Sequence, residues 1–272
     1  MIETKGKPNW CPGCGNYGIW ESLKGAIKEL KLKSENIVIT SGIGCSSKIS
    51  HWIRTYALNG LHGRALPLAE GIKLANPKLT VITCGGDGDG YAEGGNHFIH
   101  FCRSNINVKY FVHDNQIYGL TKGQPSPTSD EGFITKTTPY GTIEKAINPI
   151  LLAIASGATF VARGYAGDIN HLKNLMKQAI KHKGAAIIDI LQPCVSFNNK
   201  NTYKWYQERI YKLEKSSDSR IEAMKIAEQW GKKIPIGIIY QSNEPTYEER
   251  IPAINNKTKP ANSIKSLIDE LK

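Results

Sequence analysis

Gly85–Ile117 reads GGDGDGYAEGGNHFIHFCRSNINVKYFVHDNQI, and the rest of the chain is arranged around it. Gly85-Gly86-Asp87-Gly88 directly follows the apolar run Leu79–Cys84, and Asp114-Asn115 directly follows Val108–Val112. Both polar clusters therefore close strand-like runs. In a parallel sheet, residues just past the strand ends gather along one edge, where open α/β folds bind ligands. Asp87 and Asn115 are thus expected to meet in space. A carboxylate, an amide oxygen and a nearby main-chain carbonyl form a hard, oxygen-only set suited to magnesium, which keeps phosphate oxygens and water as its other ligands. The glycines let backbone N–H groups approach those phosphates.

Bulk properties narrow the function classes. The 272 residues suffice for a sizeable core. The formal charge is +11, but the 35 Lys and Arg are scattered rather than gathered in an aromatic-interleaved stripe; an acidic protein partner fits the charge equally well, and no nucleic-acid partner is expected. No run of about 18 apolar residues is present, and MIETKGKPNWCPGCG lacks the apolar core of a signal peptide, so the expected location is cytoplasmic, without a membrane span. Six cysteines in such a chain are expected as metal ligands, reactive groups or core residues rather than disulfides.

Cys11 and Cys14 flank a Pro-Gly turn, so both sulfurs can face one metal or cluster. Cys45 follows the short strand Ile37–Thr40, and Cys194 follows Ala186–Leu191. These two positions lie on the same expected sheet edge as Asp87 and Asn115, and the N-terminal pair can join them there. Four thiolates suit zinc or a [4Fe-4S] cluster, and the thiols alone do not separate the two. Cys84, inside an apolar run, and Cys102, beside Phe98, Ile99 and Phe101, are expected in the core.

Helical spacing is present at Ile19, Leu23, Ile27 and Leu30, over Ala65–Ala75 up to the Asn76-Pro77 stop, from Asn148 to Ser156, and over Asp168–Lys183. His62-Gly63-Arg64 is a candidate anion or substrate contact. Tyr118–Ser129 is rich in Gly, Pro and hydroxyl residues and reads as an irregular loop over the site. With a strand at Thr159–Arg163, five β segments alternate with helices, which predicts an α/β fold with a doubly wound, mainly parallel sheet. Residues 1–197 are expected to form this domain. Residues 198–272 are expected as a C-terminal extension, with a helix near Ser219–Trp230, an apolar run Ile234–Tyr240 in an arm packing on the domain or a partner, and a terminal helix over 261–271.

The spacing Gly-Asp-Gly, 26 residues, Asn resembles the thiamine diphosphate motif. Together, WCPGCGNYGIW, SGIGCSSK, LHGRALPLAEGIKLANP, GGDGDGYAEGGNHFIH, DNQIYGLTKGQPSPTS, GATFVARGYAGD and LQPCVSFN are similar to the β subunit of 2-oxoacid:ferredoxin oxidoreductases, over Trp10 to about Asn198 with a weaker echo in IPIGIIY. Among them the chain looks closest to 2-oxoglutarate-type enzymes and archaeal relatives of broad specificity. The resemblance implies that a 2-oxoacid, coenzyme A and oxidised ferredoxin give acyl-CoA, carbon dioxide and reduced ferredoxin. By motif, Asp87, Asn115 and the Ile117 carbonyl would bind magnesium. Cys45, Ser46, Gly86, Gly88, Asp89, Gly119 and Leu120 would border thiamine diphosphate. Cys11, Cys14, Cys45 and Cys194 would hold the [4Fe-4S] cluster. Lys48, His62, Arg64, Leu120, Thr121 and Lys122 would border the substrate carboxylate. The glutamate that activates the aminopyrimidine would come from an α subunit, which would also bring coenzyme A-binding parts, in an αβ or (αβ)2 assembly. The rival readings are a non-redox thiamine enzyme subunit of decarboxylase or synthase type and a zinc-stabilised basic binding module. The chain has Asp114-Asn115 where the family motif has Asn-Asn, which leaves the ligating Asn in place.

Overall fold

A computed structural model describes residues 2–254 together with Ile268 and Asp269. The terminal helix expected over 261–271 falls outside the described residues except at those two positions. The first half runs α1 (Asn16–Glu29), β1 (Ile37–Ser41), β2 (Tyr56–Asn59), α2 (Ala65–Ala75), β3 (Thr80–Gly86), α3 (Gly95–Ser104) and β4 (Lys109–Asp114). The second half runs α4 (Pro149–Ser156), β5 (Phe160–Tyr165), α5 (Ile169–Lys181), β6 (Ala186–Leu191), α6 (Tyr203–Gln207), β7 (Ile210–Lys212), α7 (Arg220–Ala227), β8 (Ile234–Gln241) and α8 (Tyr247–Arg250).

The strands form one sheet in the order β2-β1-β3-β4-β6-β5-β8-β7. Every pairing is parallel except β5 with β8. The expected doubly wound, mainly parallel sheet is therefore present. Ile234–Tyr240, expected in an arm, is instead a strand of this sheet, and the register shifts between Val161 and Ala162 where it pairs with β5. β2 and β7 are too short, at four and three residues, to stand out from the sequence pattern.

All residues of β1, β4, β5 and β6 are buried, as expected of strands covered on both faces. Ile19, Leu23 and Ile27 of α1 and Leu172, Leu175 and Met176 of α5 cover one face. Phe98 and Phe101 of α3, Ile150 and Ile154 of α4 and Ala223 and Ala227 of α7 cover the other. Each large side chain so enclosed contributes roughly 2 to 3 kcal/mol. Local signals fix the helix starts. The Asn148 side chain accepts from the Leu151 N–H at 3.1 Å with Pro149 as the first helical residue, and Asp168 accepts from the His171 N–H at 3.0 Å. Among the described residues no helix is long and apolar enough to cross a membrane.

Candidate active site

The parallel strands β1, β3, β4 and β6 deliver four chain segments to one edge. Past β3 comes Asp87, followed by a π-helical turn, Gly88–Glu93, a geometry that recurs at functional sites. Asp87 is buried, and its Oδ2 accepts from the Ser126 and Thr128 hydroxyls, the latter at 2.7 Å. Burial pushes its carboxyl pKa up while the two hydroxyls pull it down. Of the glycines on either side, Gly88 leaves no room for a side chain and Gly86 leaves a tight fit. A methyl group on Gly88 would lie 2.3 Å from the Tyr118 ring, and one on Gly86 would lie 3.3 Å from the Ser46 hydroxyl. That hydroxyl is itself buried without a hydrogen-bond partner.

Past β4, Asn115 Oδ1 accepts from the Ile117 N–H at 3.0 Å, and the Asn115 carbonyl accepts from Asn198 Nδ2 at 3.0 Å. These segments enclose a cavity. Of the residues expected there, Cys45, Ser46, His62, Gly86, Asp87, Gly88, Asp89, Asn115, Ile117, Gly119, Leu120 and Thr121 line it. Lys48, Arg64 and Lys122 do not. Arg64 is exposed and donates to the Glu93 carbonyl at 2.8 Å. Lys122 is exposed in the left-handed region at φ 77°.

Lys48 lines a second cavity, together with Cys11, Cys14, Cys45 and Cys194. Cys45, Asn115 and Gly119 belong to both cavities and form a shared wall. A methyl group on Gly119 would sit 3.7 Å from the sulfurs of both Cys45 and Cys194. The N-terminal turn is closed by the Cys14 N–H on the Cys11 carbonyl at 3.0 Å and tied to the β6 exit by the Gly15 N–H on the Pro193 carbonyl at 3.1 Å. Trp10 Nε1 donates to the Cys45 carbonyl at 2.7 Å, and Gln192 Nε2 donates to Cys14 Sγ at 3.4 Å. Burial pushes the Cys14 thiol up to about 12, and the neighbouring cysteines push the same way. Burial also raises Cys45, against the pull of Lys48. Among the described residues no three His, Cys, Asp or Glu side chains converge as the shell of one metal ion. The four cysteines line one cavity. Cys84 and Cys102 are fully buried in the core, as expected.

Comparison with known proteins places this geometry. A 2-oxoacid:ferredoxin oxidoreductase subunit beta from a Sulfolobus species is 51% identical over 261 residues, 90% of this chain and 86% of its own. The chain belongs to the β subunits of 2-oxoacid:ferredoxin oxidoreductases. The family model for the thiamine pyrophosphate enzyme C-terminal TPP binding domain matches residues 42–190, and that for the C-terminal part of the pyruvate ferredoxin oxidoreductase beta subunit matches 194–256. The 2-oxoglutarate synthase subunit KorB of Methanocaldococcus jannaschii is 36% identical over 258 residues, 92% of this chain and 93% of its own. The solved 2-oxoglutarate:ferredoxin oxidoreductase of Magnetococcus marinus, with 2-oxoglutarate, coenzyme A and succinyl-CoA bound, superposes with a TM-score of 0.95 at 38% identity, over 99% of this chain and 94% of that one. This β subunit is therefore part of an oxidoreductase and carries a thiamine diphosphate-binding domain.

Several residues of the site have no individual role marked in the sequence, although Tyr118, Ser126 and Thr128 fall in the loop expected over it. Ile43, Gly44 and Tyr118 line the cofactor-side cavity, and Ser126 and Thr128 hold Asp87. The hydroxyl-rich run Ser126-Pro127-Thr128-Ser129 carried the signal for the last pair, because hydroxyls are the natural neutral donors to a buried carboxylate. Nothing in the sequence pattern marks Gln192 as a donor to Cys14.

Proposed function

We propose that this β subunit, joined to an α subunit, oxidatively decarboxylates a 2-oxoacid such as 2-oxoglutarate or pyruvate. The 2-oxoacid and coenzyme A give acyl-CoA, carbon dioxide, one proton and two electrons, which pass through a [4Fe-4S] cluster to two ferredoxins. The observation that carries the reading is the wall of Cys45, Asn115 and Gly119 between an oxygen-lined and a sulfur-lined cavity.

The residues present fit each group. The carboxylate of Asp87, the side-chain oxygen of Asn115 and the carbonyl of Ile117 would hold magnesium, a hard cation that takes oxygen ligands. The unpartnered Ser46 hydroxyl and the side-chain-free Gly86 and Gly88 suit a diphosphate. When bound, thiamine diphosphate supplies the sink for the electron pair released with carbon dioxide. Cys11, Cys14, Cys45 and Cys194 would hold the cluster, since four cysteines lining one cavity supply the four thiolates such a cluster takes. The raised thiol pKa values of Cys14 and Cys45 mean that loading must displace protons.

The chain's own groups bind and orient. His62, Leu120 and Thr121 stand on the cofactor-side cavity where a substrate would enter, and Lys48 brings a cation from behind Cys45. Arg64 and Lys122 lie outside that lining and attract the acid at longer range. A cation close to the carboxylate favours binding but opposes its loss, so a recessed Lys48 suits both demands. The aminopyrimidine glutamate is assigned to the α subunit, in an αβ or (αβ)2 assembly. Ferredoxin reduction by the complex, by α alone and by this chain alone tests the reading. The complex should turn over 2-oxoglutarate with coenzyme A and neither part should do so alone. Full turnover by the isolated chain would contradict it.

A further inference from the structure

Asp89 carries a carboxylate only 2% exposed, one residue beyond the glycine that follows Asp87. A single oxygen, Oδ1, accepts two backbone N–H groups from different segments, Ile43 at 2.9 Å and Gly63 at 2.8 Å, with His62 Nε2 at 3.8 Å. Ile43 lies two residues before Cys45, on the shared wall, and Gly63 directly follows His62. We propose that Asp89 is a positioning residue that fixes the Cys45 loop and the His62 turn relative to each other across the cofactor cavity. This rests on the cofactor reading above and reassigns Asp89, which the motif placed among cofactor contacts.

The surroundings are shaped to this link. A methyl group on Gly42 would lie 2.0 Å from Asp89 Oδ2, so that position must be bare for the carboxylate to seat, and one on Gly85 would press it at 3.1 Å. Gly63 sits at φ +71°, and a methyl there would lie 2.4 Å from the Glu93 carbonyl carbon. Only glycine combines that backbone with that approach. The other end of the same π-helical turn grips two more segments. Glu93 accepts from Arg64 Nη1 at 2.8 Å through its carbonyl, and from the Tyr118 hydroxyl at 3.1 and 3.2 Å through its carboxylate. The turn Gly88–Glu93 thus ties together the loops after β1, β2 and β4 at the point where Asp87 leaves β3. A slack link would let His62 drift while leaving Asp87 and Asn115 in place, so it should weaken substrate binding and spare cofactor binding.

Because both N–H groups go to one oxygen, asparagine keeps the acceptor and alanine removes it. In the αβ complex, Asp89→Ala orphans both N–H groups and should raise the KM for the 2-oxoacid about tenfold, on the order of the cost of one lost buried hydrogen bond. The Kd for thiamine diphosphate and the iron content should stay within about twofold, an expectation based on the unchanged ligand residues. Asp89→Asn should bring KM back close to the parent value. Gly42→Ala leaves Asp89 in the chain but displaces its carboxylate, so it should reproduce the KM rise and keeps the test open should Asp89→Ala not fold. An unchanged KM in both alanine variants would overturn the proposal. So would a raised Kd for thiamine diphosphate with KM unmoved, since that is the signature of a direct cofactor contact. A parent complex without thiamine diphosphate or turnover would instead sink the cofactor reading itself.

Discussion

The two ends of the β-sheet are built to opposite rules. At the N-terminal ends of the strands several polar groups close on one another, although the buried Ser242 hydroxyl beside Thr159 has no partner. Lys109 Nζ donates to Asn107 Oδ1 and to the carbonyls of His182 and Gly184. Asn105 Oδ1 accepts from the Thr159 hydroxyl at 2.7 Å and from the Ala185 N–H at 2.9 Å. With that hydroxyl hydrogen committed, His182 Nε2 must donate to Thr159 at 2.7 Å, which places a proton on Nε2. At the C-terminal ends the Ser46 hydroxyl, Asp89 Oδ2, Asn16 Nδ2, His113 Nε2 and Gln192 Oε1 are all buried without partners. A closed network stabilises the fold. An open set of buried donors, acceptors and thiols costs stability unless something binds there. The C-terminal edge thus gathers several such open groups beside the two cavities.

The comparison breaks most sharply at Asp87. Asp87→Ala should lower thiamine diphosphate affinity by more than about a hundredfold, beyond the effect typical of losing an outer-sphere contact, while the melting temperature barely moves. Isothermal titration with magnesium present measures it. At the opposite end Lys109→Met should leave that affinity alone and cost about 3 kcal/mol of stability, because three buried oxygens lose their donor. Denaturant unfolding of the purified chain reads this directly. Thr128→Val removes one of the two hydroxyls holding Asp87 and should weaken cofactor binding about tenfold, again with little change in stability.

The smallest effect is in pH. Burial, with Lys109 nearby, pulls His182 down from 6.5 to about 4 in the folded chain. Between those values the unfolded chain binds the proton and the folded chain does not, so stability is complete above 6.5 and falls as pH drops toward 4. This one group contributes a slope of at most about 1.4 kcal/mol per pH unit. His182→Gln should flatten the stability-pH curve by that amount in the window. An unchanged slope would mean that burial and Lys109 do not hold the ring neutral in the folded chain.

Much of this was legible in the sequence, for identifiable reasons. The buried strands β1, β3, β4, β5 and β6 are apolar runs with turn chemistry beside them, and Asn76-Pro77, Asn148-Pro149 and Asp168 marked helix ends. The site followed from topology, because chain segments after parallel strands must share an edge. Side-chain direction did not follow. Lys48 lies three residues past Cys45 and was expected at the substrate, yet it lines the cysteine cavity, since the turn Ser46–His51 carries it there. Asp89 looked like a second cofactor carboxylate. Its hydrogen bonds reach Ile43 and Gly63, partners 46 and 26 residues away that no local pattern could supply. The run Ile234–Tyr240 looked like part of an arm because it lies in the more polar, less regular residues after Ser196, and Pro235 and Gly237 are poor residues for a central strand. As β8 it tolerates both, with Gly237 at φ +130° against Leu213.

The central claim is that one chain holds two different cofactors across the wall of Cys45, Asn115 and Gly119. Iron, acid-labile sulfide and thiamine diphosphate should be assayed in the αβ complex purified without oxygen, for the parent and for Cys194→Ala. The account predicts that the variant has lost about four irons per β chain, the content of one [4Fe-4S] cluster, and has kept its thiamine diphosphate. Equal iron in the two proteins would contradict it, and so would a parent complex that carries thiamine diphosphate and no iron.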